Sequence, residues 1–489
     1  MNARRYEPFA LLVLPIAWAI VVLSSTYTTD PDTYLHVGCA RRLLTEGGCL
    51  RTFPWLPYTS LADPFANLYL GQHAALAPLA SILPPQPAIA ASVLLLSSAF
   101  AASLFLVLRR HGVARPTWWI VLGLLAVPQP LLYSIYLKGA ATFLILLVWF
   151  VDAVWSGHAR RVFVLAWLSV YVYIGATVLV PFVLVHLACT RAIEGRWPWR
   201  LLVATLAGLA AGMVVNLGWP AQWTHVVAEL RTIVESDPRL VPGILRGAEW
   251  APLGASLVAT LVGPLLVAWA VLFVRRLASD GTALPVSVIS TTVAAFGLLG
   301  AGMFAGTKML ELGCVFSLLA LPRIAITFAW PRWLVAIVVA AGLALSARNV
   351  ARVVDEMDTP GNAHPADYRE LAAWLVERTD PGEVIVAPWD DMPGLFLFAE
   401  DQRYVAGWNV QFLRDGQRVQ FEAYYALFTG QVRDPEKLLP QLFDGARFLI
   451  VRRTPRHQGE ADLLAQLSSN PAFEAIASPV EIWRIFRVR

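Results

Sequence analysis

Residues 28–46 read TTDPDTYLHVGCARRLLTE, a polar stretch set directly behind an apolar run from Phe9 to Leu23. Asp30 followed by Pro31 predicts a helix start: an N-cap carboxylate accepts orphan backbone N–H groups, and proline suits the first helical position. Gly47-Gly48 predicts its far end. On that helix Asp32 and His36 stand four residues apart and share a face. A carboxylate and an imidazole held just outside a membrane span are equipped for acid–base work.

The rest of the composition agrees with a chain threaded through lipid. Of 489 residues, 57% are hydrophobic and 15% charged, far too apolar for a soluble protein. Mean hydropathy is +0.59 even though the last quarter of the chain is polar. Nineteen tryptophans suit a protein with rings anchored at membrane interfaces. The net charge of +4 is small, and no basic run interleaved with aromatics points to a nucleic-acid partner. The Arg4-Arg5 start ahead of Phe9–Leu23 has the outline of a signal peptide, but no convincing cleavage site follows and many further spans do.

A crossing helix needs about 20 apolar residues. That template predicts spans near 9–23, 88–108, 118–133, 139–155, 162–173, 177–190, 200–217, 251–274, 284–304, 309–328 and 333–347. Residues 162–189 are too long for one crossing and short for two, with arginines at both ends. Two short helices meeting near Gly175 would return the chain to its starting side. Arg4/Arg5, Arg109/Arg110/Arg115, Arg160/Arg161, Arg191/Arg196/Arg200, Arg275/Arg276 and Arg332 fall in alternate loops, which the positive-inside rule assigns to the cytoplasm. The expectation is a polytopic α-helical membrane protein of about eleven transmembrane helices, its N-terminus inside. The loop 24–87 and everything after about residue 348 then lie on the outer side. Residues 1–350 form the membrane domain. Residues 351–489 form a soluble α/β domain, with a helix at Tyr368–Arg378 and strands at Glu383–Ala387, Arg447–Val451 and Ile482–Val488.

Cys189 and Cys314 sit in or beside apolar spans as packing residues. Cys39 and Cys49 flank the end of the first-loop helix. A disulfide between them is chemically permitted outside the cytoplasm, and two separate thiols are the alternative.

The first loop carries a resemblance. After Asp30-Pro31-Asp32 and the helix come Phe53-Pro54-Trp55-Leu56-Pro57-Tyr58, then Asp63-Pro64-Phe65, then Gln72-His73 leading into the next apolar stretch. That order resembles the first loop of bacterial membrane glycosyltransferases of the GT-C superfamily, which take sugars from polyprenyl-phosphate carriers. At longer range it is similar to protein O-mannosyltransferases, aminoarabinose transferases and the catalytic subunit of oligosaccharyltransferases. The resemblance implies a GT-C-like enzyme performing inverting sugar transfer at the outer face of a bacterial inner membrane. Its partners would be a lipid-linked sugar donor, membrane lipid, and a glycan, lipid or protein acceptor. The catalytic carboxylate maps onto Asp32, with Asp30 second and Asp63 as a further acid; Asp30 and Asp32 could hold Mg²⁺ or Mn²⁺ with water completing the shell.

Each candidate has a plainer reading beside it. Asp30 also reads as a helix cap, Asp32 as a first-turn acid that suits the macrodipole, and Asp63 as a turn former. His36 and His73 are acceptor contacts or satisfied interface residues. Arg41 and Arg42 are phosphate contacts or structural charges. Lys138 and Lys308, each the lone cation at the outer end of a span, would meet a lipid phosphate or simply snorkel. Trp389 and Asp390, in Pro388-Trp389-Asp390-Asp391, are similar to the acceptor motif of oligosaccharyltransferases, with Pro388 where that motif has tryptophan; the plain reading is a strand-to-helix turn. A transporter would concentrate its ionisable residues within the spans, and here they are concentrated outside. A non-catalytic scaffold of the same shape is the third class, and an Asp32→Asn variant separates the enzyme from the other two.

Overall fold

In a computed structural model of the chain, the described residues are 31–45, 48–126, 137, 139–234, 284–305, 307–325, 363–407, 410–455 and 459–489. Scattered helical residues between 11 and 20, 262 and 272, and 340 and 348 are described as well. Asp30, Glu46, Gly47 and Lys138 lie outside the described residues. Two compact units emerge, each assembled from three stretches of sequence.

The first unit comprises Met1–Val22, Ala90–Val215 and Ala248–Val354, and its described secondary-structure elements are helices. The helix Pro85–Arg110, which enters it, has 26 residues and so spans about 39 Å at 1.5 Å per residue, enough to cross a bilayer. Proline opens it and Arg109-Arg110 close it, as the helix dipole favours. The Ile174–Glu194 run is also long and apolar enough to cross, whereas Gly139–Trp155, Trp199–Val215 and Val286–Gly302 are shorter apolar helices. The awkward 162–189 segment breaks where expected: one helix ends at Val172, a 3₁₀ turn covers Ile174–Val178, and a second helix runs from Leu179 to Glu194. A side chain at Gly175 would collide with the Tyr173 ring, which folds back over the turn.

Small residues let these helices touch. Gly208 and Gly212, one turn apart on Trp199–Val215, leave no room for a Cβ against the carbonyls of Phe163 and Trp167 on Ala159–Val172. Close backbone approach of this kind replaces the hydrophobic drive that is missing inside lipid. Buried Asp152 accepts from Arg110 Nη1 at 2.9 Å and pairs with His111 Nε2 at 2.8 Å. Trp155 Nε1 donates to Thr291 Oγ1 at 2.9 Å.

The second unit comprises Leu23–Ile89, Asn216–Gly247 and Asp355–Arg489. Its first stretch carries α1 (Pro31–Thr45) and α2 (Leu70–Ile82). The third stretch opens with α3 (Pro365–Arg378), followed by β1 (Val384–Val386), α4 (Met392–Phe398) and β2 (Arg403–Tyr404). Further on come β3 (Phe448–Arg452), β4 (Phe473–Ile476) and β5 (Trp483–Val488). The sheet order is β2-β1-β3-β5-β4, with β2, β1 and β3 parallel and β5 antiparallel to both of its neighbours. β1 and β3 are buried on both faces, as parallel strands under helices must be. α3 starts earlier than its apolar pattern suggests because Pro365 fits its first position and Asp367 Oδ2 accepts from the His364 N–H at 2.7 Å.

The first loop contributes to the same core as the sheet. Tyr58 packs in one cluster with Val384, Val386, Leu413 and Phe443. Phe53 and Trp55 pack on Phe396 of α4, 5.4 Å and 5.0 Å from its ring centre, and Phe65 packs on Phe53 at 5.2 Å. Backbone bonds stitch the segments: Tyr404 N–H to Trp55 O at 2.7 Å and Ser60 N–H to Phe412 O at 2.8 Å. Residues 355–489, read from the sequence within a separate globule, therefore share their interior with the loop that follows the first span.

Candidate active site

α1 positions the residues that the sequence singles out. Pro31 is its first residue, as predicted, and Asp32 lies partly exposed in the first turn. His36, one turn on, is buried. Gly38 faces the Phe396 ring so closely that a Cβ would meet it at 2.8 Å, which brings α1 and α4 together.

His36 and His73 come together although they are far apart in sequence. His36 Nδ1 lies 2.8 Å from His73 Nε2. On the other side of the His73 ring, Nδ1 lies 2.8 Å from Asn67 Nδ2. Asn67 also donates from Nδ2 to the Cys49 carbonyl at 2.6 Å, and its oxygen accepts from the Tyr69 N–H at 3.0 Å. Cys49 is joined to Cys39 of α1 by a disulfide, so the permitted bond is present. Tyr69 places its ring edge against His36, with centroids 5.0 Å apart. Burial, and then the neighbouring His36, hold His73 well below the ordinary histidine range. It is neutral at pH 7.

Both arginines of α1 are engaged with the scaffold. Arg41 Nη1 donates to the carbonyls of Ala80 (3.0 Å) and Leu83 (3.1 Å), the unpaired end of α2. Arg42 is buried; it donates to Gly38 O at 3.2 Å and Phe396 O at 2.8 Å, and its guanidinium lies 4.0 Å from the Phe396 ring centre. Those bonds give both arginines structural partners within the second unit. Asp63 is exposed in the turn that leads to Phe65 and is not gathered with the histidines. Lys308 belongs to the first unit, buried on the helix Thr307–Ala325 one turn from buried Glu311. Among the described residues, no group of three or more His, Cys, Asp or Glu side chains is arranged to hold a metal ion.

Trp389 and Asp390 sit in the turn between β1 and α4, Trp389 partly exposed and Asp390 buried. The next residue, Asp391, is the one built into the core. Its carboxylate accepts from Tyr368 Oη at 2.7 Å, from Trp483 Nε1 at 2.9 Å and from Arg452 Nη2. Burial works against the Arg452 charge, but the Asp391 and Asp390 carboxylates outweigh it and hold the guanidinium above its ordinary value. Sequence reasoning passed over Asp391 and Asn67. Their partners lie 61 and 92 residues away for Asp391, at Arg452 and Trp483. For Asn67 the only local sign was an asparagine ahead of a helix.

Comparison of the sequence with protein-family models finds no match, and comparison with curated proteins finds none. Solved structures do match. The oligosaccharyltransferase of Archaeoglobus fulgidus, in its apo form, superposes with a TM-score of 0.58 at 10% identity, over 92% of this chain and 70% of that one. ArnT from Cupriavidus metallidurans in the apo state gives 0.58 at 13% identity, over 97% of both chains. The same protein bound to undecaprenyl phosphate gives 0.56 at 14% identity, again over 97% of both. At these identities the likeness is one of fold alone: the chain shares the fold of an oligosaccharyltransferase and of ArnT.

Proposed function

We propose that the chain is an inverting glycosyltransferase that moves a sugar from a polyprenyl-phosphate carrier to an acceptor hydroxyl or amide. The observation that carries the reading is a fold shared end to end with a protein solved with undecaprenyl phosphate bound. In this reading the membrane is the bacterial inner membrane, crossed about eleven times, and the second unit works on its outer face. An acceptor hydroxyl becomes a competent nucleophile when a carboxylate takes its proton, and a leaving lipid phosphate needs positive charge nearby. Asp32, partly exposed at the head of α1, is the base. His36 contacts substrate, and Lys138 and Lys308 are the candidates for the phosphate. Asp30 with Asp32 would offer Mg²⁺ or Mn²⁺ two carboxylates, leaving most of the shell to water and substrate oxygens.

The test is transfer of a radiolabelled sugar from undecaprenyl phosphate in native membrane vesicles. Asp32→Asn should reduce transfer by about 10²- to 10⁴-fold, the usual worth of a positioned acid or base, with an unchanged melting temperature. Dialysis against a chelator reads out whether a cation takes part. Undiminished transfer by Asp32→Asn would overturn the assignment.

A further inference from the structure

The backbone determines which way the Asn67 amide points. The Tyr69 N–H can only donate, so the atom it meets at 3.0 Å is the amide oxygen. The Cys49 carbonyl can only accept, so its neighbour at 2.6 Å is the amide nitrogen. Both hydrogens of that nitrogen are then committed, one to Cys49 and the other to His73 Nδ1 at 2.8 Å. His73 Nδ1 therefore accepts and carries no proton. The His73 proton sits on Nε2, which donates to His36 Nδ1 at 2.8 Å. His36 Nδ1 accepts in its turn, and the His36 proton is left on Nε2. Neither ring can be an imidazolium, because an imidazolium has no acceptor nitrogen.

We propose that Asn67 and His73 are positioning residues that lock His36 as a neutral imidazole donating through Nε2–H. In the proposed transfer His36 then supplies a hydrogen bond to a substrate oxygen on the face of α1 that carries Asp32. The base role falls to the carboxylate alone. This use of His36 rests on the sugar-transfer reading; the tautomer does not. All three side chains are buried, so bulk water does not exchange the donor and acceptor roles along the chain. The depressed proton affinity of His73 agrees with a ring that only accepts at Nδ1. The Cys39–Cys49 bond anchors the far end, since the Cys49 carbonyl is what turns the amide.

The test is ¹⁵N NMR of the full-length protein labelled at histidine and reconstituted in lipid nanodiscs near neutral pH. The His36 and His73 signals are assigned by their loss in His36→Gln and His73→Gln. Pyridine-type, unprotonated δ nitrogens in both rings of the unaltered protein support the lock. A protonated δ nitrogen in either ring of the unaltered protein overturns it, whatever the activity. Asn67→Asp has no hydrogen to give, so it should draw the proton onto His73 Nδ1 and reverse both rings. The reversed protein should lose about 10²- to 10³-fold in kcat, the cost of one catalytic hydrogen-bond donor, with little change in KM. Reversed rings with full transfer would overturn the donor role of His36. Should Asp32→Asn keep full activity while the unaltered protein shows both δ nitrogens bare, the sugar-transfer reading falls and the lock stands.

Discussion

At the scale of single residues, two buried arrangements carry opposite pH and charge consequences. An unfolded histidine gains its proton near pH 6.5, whereas burial holds His73 well below that value and His225 below it too. The unfolded state therefore binds more protons between pH 6.5 and the folded values, and stability falls as pH falls through that window. Above pH 6.5 the contribution is fully present and constant. Each such histidine removes up to about 1.4 kcal/mol per pH unit within the window. Melting temperature in detergent should thus drop between about pH 7 and about pH 5.5, and His73→Gln should make that drop shallower. An equal slope in the variant would refute the assignment. The Asp391–Arg452 pair is the second arrangement. Arg452→Met strands a buried carboxylate and should cost about 3–5 kcal/mol. Arg418→Ala, which breaks the exposed pair with Glu422, should cost less than about 1 kcal/mol. Thermal unfolding of the two variants separates them.

At the scale of elements, close approach matters more than propensity. Gly212→Leu drives a side chain into the Trp167 carbonyl, 2.8 Å from where its Cβ would stand, and should separate Trp199–Val215 from Ala159–Val172. Gly300→Ala on Val286–Ala305 meets nothing within 4 Å and should fold as well as the unaltered chain. The yield of monodisperse protein after detergent extraction compares them, and equal yields would refute the packing argument. α1 follows the same logic from its other side. Gly38 admits the Phe396 ring, Arg42 takes the Phe396 carbonyl, and the disulfide ties the helix to the loop that follows. A bond closing a loop of this length contributes about 2–3 kcal/mol by restricting the unfolded chain. These ties hold Asp32 and His36 on a rigid element, as a site that must place a proton requires.

At the scale of the whole molecule, each compact unit is assembled from three stretches of the chain, so neither completes until late stretches arrive. A chain ending at residue 354 should leave Phe53, Trp55 and Tyr58 without Phe396, Val384 and Phe443. Limited trypsin digestion should then cut the first loop at Arg42 and Arg51, while the intact chain keeps Arg42 buried and intact. Equal resistance in the two would show that the loop folds without its partner segment. Much of this molecule was legible in the amino-acid order. Apolar run lengths predicted long helices and a break near Gly175, and the Asp30-Pro31 pair predicted the α1 start. Alternation and turn residues placed three of the five strands. Those features are local, set by propensity and periodicity within a few turns of the chain. What no local pattern contained was the choice of neighbours. Arg42 looked like a phosphate ligand and is bonded to Phe396, 354 residues away. Asp391 stood unremarked in a stretch read as a turn and is paired in the core, and His36 owes its tautomer to an asparagine on another segment. Partner identity depends on which surfaces meet once burial has been maximised over the whole chain, and only the folded structure decides that.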